Sequence, residues 1–329
     1  MLLSVIIVTY NSEHDIRRCL DSVRAVLHDI EYEVIVIDNC SADRTAAVVN
    51  EEFPWVTLQV LSQNIGFAAG NNVAMSVCSS RYLLLLNPDT EVEPNTVQEM
   101  IRHMERSPQC GLAGPRLLNG DGIPSLPVPD LSLVSTFLRL VGLRRIADRR
   151  AVVPARRILC GACLLIRAST LSQIGLLDDG MHTQEDGDYC IRARQAGWSV
   201  DYLENIWITH FVGGSKNPGY VIRRSYESAF KLHGKHAALP KRICIYAMLS
   251  AQMVLRLGKW AVVSRNHPGA AAKRKALAGL LVRLPGLWCG QTPVVRPKRL
   301  ANDSALSRST PLELEVDNKR SSAFLGNGR

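Results

Sequence analysis

Four short, apolar-rich runs in the first 86 residues constrain the fold more than any other feature of the sequence. They occupy residues 3–8, 33–37, 56–61 and 82–86. Runs of this length fit strands, and strands that are apolar along most of their length must be covered on both faces. The segment after the first run has apolar residues at helical spacing, namely Ile16, Leu20, Val23 and Leu27. This alternation predicts an α/β fold with a Rossmann-like, mainly parallel central sheet that is flanked by helices.

The rest of the chain extends this pattern and then changes character. The sequence predicts helices at 92–106, which is amphipathic, and at 188–196, a strand at 159–167, and two short extended pieces at 200–203 and 206–209. Residues 119–157 form a long excursion rich in Pro, Gly and Arg, which is a candidate lid. We expect residues 1–235 to form the main domain. A basic, amphipathic helical segment at 236–300 and a polar, disordered tail at 301–329 follow it.

Charge is distributed unevenly along the chain. Residues 216–300 carry 17 lysines or arginines and one acid, Glu227, so the rest of the chain is net acidic although the whole carries +9. A basic segment of this strength indicates contact with an anionic surface, either nucleic acid or anionic lipid. Aromatic residues are few there and no nucleic-acid-binding motif is visible, which favours lipid. A solvated basic face is the alternative.

Cysteine usage and the first residues favour a cytoplasmic protein. The nine cysteines are scattered without a disulfide framework, and a strand pattern begins at residue 3 with no signal-type segment before it. Cys160 and Cys163 form a C-x-x-C pair with no second pair of zinc ligands nearby, so we interpret them as buried small residues. The apolar run at 243–255 is too short to span a bilayer, which needs about 20 residues. We expect peripheral attachment to the inner face of the cell membrane.

Polar residues follow the first two predicted strands. Thr9, Tyr10 and Asn11 come after the first strand, and Asp38 with Asn39 comes after the second. Because the carboxyl ends of parallel strands meet at one edge, where such sheets bind ligands, these side chains should lie side by side. A carboxylate there can accept hydrogen bonds from a nucleotide base or a ribose hydroxyl. The alternative is that Asp38 only stabilises a turn.

Two further segments supply candidate ligand-binding residues. Residues 64–72 read NIGFAAGNN and include Asn64 and Gly66, whose lack of a side chain permits close backbone approach; an ordinary helix start is the alternative. A run of leucines at 83–86 is followed by Asn87, Pro88 and Asp89, which delivers one carboxylate to the end of a buried strand. Such a carboxylate suits Mg²⁺ or Mn²⁺, which take oxygen ligands and keep several waters. Asp89 could otherwise cap a helix.

A cluster of acids precedes the predicted helix at 188–196. Glu185, Asp186 and Asp188 lie close enough in sequence for one of them to act as a general base while the others favour the helix N-terminus. All three could instead serve only as helix caps. His210 follows a strand-like stretch and could complete the ligand set of a metal ion as a neutral imidazole, although a single histidine is more often structural.

These motifs, in this order, resemble the family 2 glycosyltransferases with the GT-A fold. The matching pieces are SVIIVTYN at 4–11, VIDNCSADRT at 36–45, NIGFAAGNN at 64–72, LLLNPD at 84–89, GACLLIR at 161–167 and EDGDYCIRARQAGW at 185–198. The resemblance covers residues 3–215, and the N-P-D form with the NIGFAAGNN segment is most similar to the rhamnosyltransferase-like branch. It implies a nucleotide-binding half at 1–100 and an acceptor half at 101–235.

The resemblance also implies a role for each candidate residue. Thr9, with Tyr10 and Asn11 beside it, and Asp38 would hold the nucleoside, and Asn64 and Gly66 would line the donor pocket. Asp89, next to Asn87, would contact the diphosphate and a Mg²⁺ or Mn²⁺ ion, with His210 as a late metal ligand. Asp186 would be the catalytic base, and Glu185 is the alternative. Relatives often present two acids where this chain has Asn87-Pro88-Asp89, which leaves strict metal dependence open.

The implied activity is inverting transfer of a sugar from a nucleotide-sugar donor to a hydroxyl. A dTDP-rhamnose donor is the first expectation, and UDP-galactose, UDP-N-acetylglucosamine and GDP-mannose are alternatives. The acceptor would be a glycan or polyprenyl-linked saccharide in cell-surface polysaccharide synthesis, and no nucleic acid partner is expected. Two rival hypotheses are a sugar-phosphate nucleotidyltransferase, which normally carries a glycine-rich basic loop where this chain has Thr9–Ser12, and an inactive membrane scaffold.

Overall fold

One mixed sheet of eight strands organises the part of the chain that the structure describes. The computed structural model describes residues 1–125, 132–143, 146–147, 157–181, 183–211, 217–262 and 269–290. The strands are β1 (Leu3–Thr9), β2 (Tyr32–Asp38), β3 (Thr57–Val60), β4 (Tyr82–Leu86), β5 (Thr90–Val92), β6 (Cys110–Leu118), β7 (Cys163–Arg167) and β8 (Ser199–His210). Their order across the sheet is β3-β2-β1-β4-β7-β6-β8-β5.

Helices cover the sheet and extend beyond it. They are α1 (Glu13–Val26), α2 (Thr45–Glu52), α3 (Phe67–Met75), α4 (Thr96–Arg106), α5 (Leu133–Leu140), α6 (Ala168–Ile174), α7 (Glu185–Gln195), α8 (Pro218–His236), α9 (Leu239–Val262), α10 (Ala270–Val282) and α11 (Leu284–Trp288).

The predicted parallel sheet is confirmed in its first half and is mixed in its second. β1 pairs in parallel with β2 and β4, β2 with β3, and β6 with β8, whereas β7 is antiparallel to β4 and β6, and β5 is antiparallel to β8. Alternate residues of β1 enter two separate cores: Ile7 packs with α1, α2 and α4, and Ile6 packs with α3 and α7. Apolar side chains on both faces of a strand require this two-sided cover.

Several element boundaries differ from those expected from the sequence. The predicted helix at 92–106 begins only at Thr96, because Thr90–Val92 forms an edge strand on β8. The pieces expected at 200–203 and 206–209 belong to one strand, β8. Its pairing with β6 continues across an irregularity, because Pro115 pairs with Leu203 and the next residue, Arg116, pairs with Trp207. The excursion at 119–157 contains α5, and its remaining residues are described only in part.

The C-terminal helices form a core of their own. Phe230 of α8, Ile245 and Met253 of α9, and Leu277 of α10 are buried together, so the helical cluster begins at Pro218, before the expected boundary at 235. Among the described helices, none is long and apolar enough to cross a membrane. The predicted tail at 301–329 lies outside the described residues.

Candidate donor and catalytic site

The carboxyl ends of three parallel strands bring most of the predicted site residues to one edge of the sheet. Thr9 is paired with Asp38 in the register of β1 and β2, and Ile7 is paired with Leu86, the last residue of β4. β7 runs in the opposite direction, so its first residue, Cys163, also lies beside Leu86. The loops that follow β1, β2 and β4 and the loop that precedes β7 therefore share this edge.

Asp38 is fully buried beneath that edge. Its carboxylate accepts hydrogen bonds from the Thr9 hydroxyl at 2.9 Å, from the Ser41 backbone N–H at 2.9 Å and from the Ser41 hydroxyl at 2.5 Å. These bonds fix the turn that follows β2. Thr9 and Asp38 therefore lie side by side, as the sequence predicts. The Asp38 carboxylate is buried, so it supports the wall of the site and is not on its surface.

Asn11 joins the loops that follow β1 and β2. Its side-chain oxygen accepts the Ala42 N–H at 2.8 Å, its own N–H donates to the Ser41 hydroxyl at 2.9 Å, and its backbone is left-handed with φ of 52°. An asparagine tolerates this conformation better than most residues. The neighbouring Tyr10 projects outward and is 52% exposed. Asn11 is exposed as well, but its side-chain oxygen is already engaged by the turn after β2.

An open cavity of about 270 Å³ lies against this edge. Tyr10, Asn64 and Gly66, all predicted as binding residues, line it. Asp179, Met181 and Tyr220 line it as well, and the sequence analysis did not identify them. Nothing in the local sequence of these three residues indicates a site, because they come from a connection and from the start of α8, more than 100 residues beyond the first strands.

Two glycines let α3 approach the sheet at the cavity. Gly66 precedes the helix with φ of +93°, a conformation that glycine adopts without strain. A methyl group at Gly70 would lie 2.9 Å from a Val8 methyl carbon, so only glycine fits between α3 and β1 in this arrangement. The Asn39 amide accepts the Ile65 N–H at 2.8 Å and donates to the Gly66 carbonyl at 3.1 Å, which holds the segment before α3.

Asp89 and His210 are neighbours, although 121 residues separate them in the chain. An Asp89 carboxylate oxygen lies 3.2 Å from Nε2 of His210, because β5 pairs Thr90 with His210. The Asn87 amide nitrogen lies 3.5 Å from the same Nε2, and the buried amide oxygen of Asn87 has no hydrogen-bond partner. An oxygen and a nitrogen at this separation match adjacent ligands of an octahedral ion, which are about 3 Å apart. This group of side chains fits a divalent ion.

Glu185 and Asp186 lie in the first turn of α7 rather than ahead of it. Asp186 accepts the N–H groups of Gly161 at 3.2 Å and Gly187 at 2.7 Å, while burial raises the pKa of its carboxyl group. Burial, and then repulsion from Asp186, raises the pKa of Glu185 to about 7. Oε2 of Glu185 is buried without a hydrogen-bond partner. Both carboxyl groups thus bind protons more tightly than they would in water, as a general base for a hydroxyl requires.

Asp188 is engaged elsewhere and is not available as a base. Its fully buried carboxylate lies 2.7 Å from each of Arg192, Lys235 and His236. Hydrogen bonds from these groups, His236 first, outweigh the effect of burial and hold its pKa well below the usual range. Because Lys235 and His236 belong to α8, Asp188 connects α7 to the helical cluster. The sequence placed this acid beside the other two, but only the fold separates its role from theirs.

Acids from two distant segments of the chain influence the ionisation of Cys160. Burial, and then the negative charges of Asp186, Glu185 and Asp89, raise the pKa of the Cys160 thiol to about 12. The thiol is therefore protonated and inert at neutral pH. A side chain at Gly161 would begin 3.8 Å from Cβ of Asp186 and 3.5 Å from the ring of Phe67, which lines the cavity. The acids of α7 therefore lie next to the cavity.

A different group of metal-binding residue types lies at the opposite edge of the sheet. The ligand atoms of His103, Cys110 and Asp201 are all within 4.8 Å of one another, and His103 is hydrogen-bonded to Asp201 at 2.8 Å. Cys110 begins β6, near the start of β4, so this group is remote from Asp89. It fastens α4 to β8 and does not contribute to the cavity described above.

Sequence comparison identifies one family across the first half of the chain. The family described as Glycosyl transferase family 2 matches residues 4–175, slightly more than half of the 329 residues. This region contains β1 to β7 and all predicted binding residues up to Asp89. Glu185, Asp186 and His210 lie beyond it.

Two relatives with assigned activities cover a similar part of the chain. The low-salt glycan biosynthesis hexosyltransferase Agl10 of Haloferax volcanii is 26% identical over 217 residues, which cover 63% of this chain and 66% of that protein. The N-acetylglucosaminyl-diphospho-decaprenol L-rhamnosyltransferase of Mycobacterium tuberculosis is 24% identical over 233 residues, which cover 64% of this chain and 76% of that protein.

A solved structure shares the architecture. The mannosyltransferase PcManGT from Pyrobaculum calidifontis, in complex with GDP-Man and Mn²⁺, superposes with a TM-score of 0.53 over 88% of this chain and 83% of that one, at 18% identity. A likeness at this level of identity concerns the fold, and it confirms the expected GT-A architecture.

Proposed function

Because the chain belongs to glycosyl transferase family 2 and is a nucleotide-sugar-dependent glycosyltransferase, we propose that it inverts the sugar configuration in a single displacement at the sheet edge described above. The observation that carries this proposal is the position of Asp186 beside the cavity: Gly161, whose N–H donates to Asp186, lies against Phe67 of the cavity wall. A buried carboxylate with raised proton affinity next to a cavity suits a reaction that removes a proton.

Asp186 is the proposed base. Two backbone N–H groups orient its carboxylate, and burial raises its proton affinity. It takes the proton of the acceptor hydroxyl as the oxygen attacks the anomeric carbon, while the bond from that carbon to the nucleotide diphosphate breaks. Attack from the face opposite the leaving group inverts the configuration. Glu185 is the alternative base, and the unpartnered Oε2 in its carboxylate supports that alternative.

Asp89 and His210 are the proposed ligands of a divalent ion, Mg²⁺ or Mn²⁺, with Asn87 beside them. Their 3.2 Å separation and the unpartnered oxygen of Asn87 support this assignment. Such an ion supplies positive charge against the leaving diphosphate. The chain itself contributes the pairing of β5 with β8, which keeps the two side chains in register.

The nucleoside is proposed to occupy the cavity lined by Tyr10, Asn64 and Gly66. Tyr10 offers an exposed ring for stacking or a hydroxyl for hydrogen bonding. Thr9, Asn11 and Asp38 position the loops beneath, because their polar groups are bonded to one another and to Ser41.

The donor is proposed to be dTDP-rhamnose, with UDP-galactose, UDP-N-acetylglucosamine and GDP-mannose as alternatives. The name of the mycobacterial relative, an L-rhamnosyltransferase with a diphospho-decaprenol acceptor, supports rhamnose and a polyprenyl-linked acceptor in cell-surface polysaccharide synthesis. The GDP-Man complex of the mannosyltransferase keeps mannose among the alternatives.

The enzyme is further proposed to attach to the cytoplasmic face of the membrane through its basic helices. Lys241, Lys259 and Lys275 of α9 and α10 are exposed, as electrostatic attraction to anionic lipid requires. Truncation before α9 is not a clean test, because it would uncover Phe230 and Tyr226 of α8, which pack against α9.

The proposed reaction is tested in two steps. A panel of nucleotide sugars is first screened for thermal stabilisation with and without Mn²⁺, since a ligand that binds the folded state raises the melting temperature. Asp186→Asn should then lower turnover by about 10²–10⁴ with donor binding retained. Asp29→Asn, the same change at an exposed position in the turn before β2, is the matched control. Unchanged turnover in Asp186→Asn, or a product with retained configuration, would exclude the mechanism.

A further inference from the structure

The helix α5 exposes an apolar stripe that the proposed reaction does not use. Val134, Phe137 and Val141 follow one another at helical spacing and are 44%, 50% and 48% exposed. Ser135, on the opposite side of the helix, is fully buried. The helix is well defined, because the Ser132 hydroxyl accepts the Ser135 N–H and the Val141 N–H bonds to the Phe137 carbonyl. We call these three side chains the α5 stripe.

The inner side of α5 rests on the helical cluster. Leu133 packs against the core that Phe230, Ile245 and Met253 form, and α5 contacts α9. The stripe is therefore a surface feature of the same cluster that carries the basic residues. Large apolar side chains grouped on one exposed helix face usually mark an interaction surface.

The charge of the neighbouring helix identifies the partner. α9, which contacts α5, carries the exposed Lys241 and Lys259 and no acidic residue. An apolar helix face with a strongly basic neighbourhood is typical of helices that lie in the interface of an anionic bilayer. A second copy of the chain is disfavoured, since a two-fold contact through α5 would bring the basic α9 helices of the two copies towards each other.

We propose that the α5 stripe inserts among the acyl chains of an anionic membrane. α5 would then supply an apolar contact with the lipid beside the electrostatic contact of the basic helices. The inference rests on the membrane attachment proposed above and names a further element that accomplishes it. Such insertion would hold the enzyme at the bilayer surface, where the head group of a lipid-linked acceptor lies.

The test compares binding of the full-length protein to vesicles of phosphatidylcholine alone and to vesicles with about 30% phosphatidylglycerol. The variant V134S/F137S/V141S replaces the stripe at exposed positions, so circular dichroism and melting temperature should match those of the unmodified protein. Its affinity for the anionic vesicles should fall about 100-fold, since three partly exposed apolar side chains no longer leave water. The control V77S/I123S removes two exposed apolar side chains elsewhere and should bind like the unmodified protein.

A second variant separates this inference from the membrane attachment itself. K241E/K259E/K275E reverses exposed charges on α9 and α10 and should also weaken binding to anionic vesicles. If that variant loses binding while the stripe variant binds normally, insertion of the α5 stripe is excluded and attachment through the basic helices is supported. If the unmodified protein binds neither kind of vesicle but transfers sugar to a water-soluble acceptor, both membrane proposals fail and the reaction stands. Light scattering that shows a dimer disrupted by the stripe variant, with vesicle binding unchanged, would also overturn the inference.

Discussion

Replacing Glu185 by glutamine should remove the change in turnover that accompanies ionisation of Glu185 near pH 7. Asp186 takes the proton of the acceptor, and repulsion from a negative charge on the adjacent Glu185 raises the proton affinity of Asp186. The two groups stand next to each other in the first turn of α7, and burial together with this repulsion raises the pKa of Glu185 to about 7. Glutamine keeps the shape of the side chain and removes its charge.

The magnitude follows from the interaction of the two carboxylates. Two unit charges about 6 Å apart interact by about 3 kcal/mol at an effective dielectric constant of about 20. Partial access of water and salt reduces this to about 1 kcal/mol, a factor of about five in proton affinity. Because Glu185 is ionised at pH 8 and protonated at pH 5.5, we expect the ratio of turnover at pH 8 to turnover at pH 5.5 to be up to about fivefold smaller for Glu185→Gln than for the unmodified enzyme.

The assay measures turnover from pH 5 to 9 with saturating donor. Glu51→Gln, at an exposed position on α2, is the control and should leave the profile unchanged. If Glu185 is itself the base, Glu185→Gln should lower turnover by about 10²–10⁴ at every pH instead. A Glu185→Gln enzyme with the same ratio of turnover at pH 8 to turnover at pH 5.5 as the unmodified enzyme would refute the electrostatic coupling of the two acids.

Stability provides an independent readout of the same pair. Because the pKa of Glu185 is raised from 4.5 to about 7 in the folded state, its contribution to stability is fully present below pH 4.5 and is lost as the pH rises through 7. Glu185→Gln should therefore melt at a higher temperature than the unmodified protein at pH 8 and at a similar temperature at pH 4. A lower melting temperature at pH 8 would contradict this reasoning.

Three further predictions concern other parts of the site. Asp188→Asn should lower the free energy of unfolding by about 3–5 kcal/mol at pH 7, since Arg192 and Lys235 then face an uncharged buried group. Because the pKa of Asp188 is depressed, the deficit should shrink as the pH falls below about 4, and urea unfolding that shows equal stability at pH 7 would contradict this prediction. Asp89→Asn should weaken donor binding and abolish its enhancement by Mn²⁺ in calorimetry, and normal enhancement by the ion would remove Asp89 from the ligand set. Gly70→Ala should destabilise the fold by about 1–3 kcal/mol because its methyl group would meet Val8, and adding Val8→Ala should recover part of the loss; a fully stable single variant would refute the close approach.

The sequence predicts the first half of the fold well because each strand there has its own apolar run. The runs behind β1, β2 and β4 end in polar residues, and the parallel register then places Thr9 beside Asp38 without further information. β5 could not be predicted in the same way. It has three residues, one of them Glu91, and it becomes a strand only by pairing with β8.

The candidate site depends on contacts that no local pattern specifies. His210 approaches Asp89 through the pairing of β5 with β8, and Asp188 is bonded to Lys235 and His236 of α8, about 50 residues away. The sequence groups Glu185, Asp186 and Asp188 as equivalent acids. The fold separates them, because α8 neutralises one while Gly161 orients another.

The central claim is tested most directly by the structure of the enzyme with its donor nucleotide sugar and Mn²⁺. The account predicts that the nucleoside fills the cavity beside Tyr10, that the diphosphate and ion lie against Asp89 and His210, and that the anomeric carbon faces Asp186. A donor bound elsewhere, or one whose anomeric carbon lies beyond the reach of both Asp186 and Glu185, would contradict it.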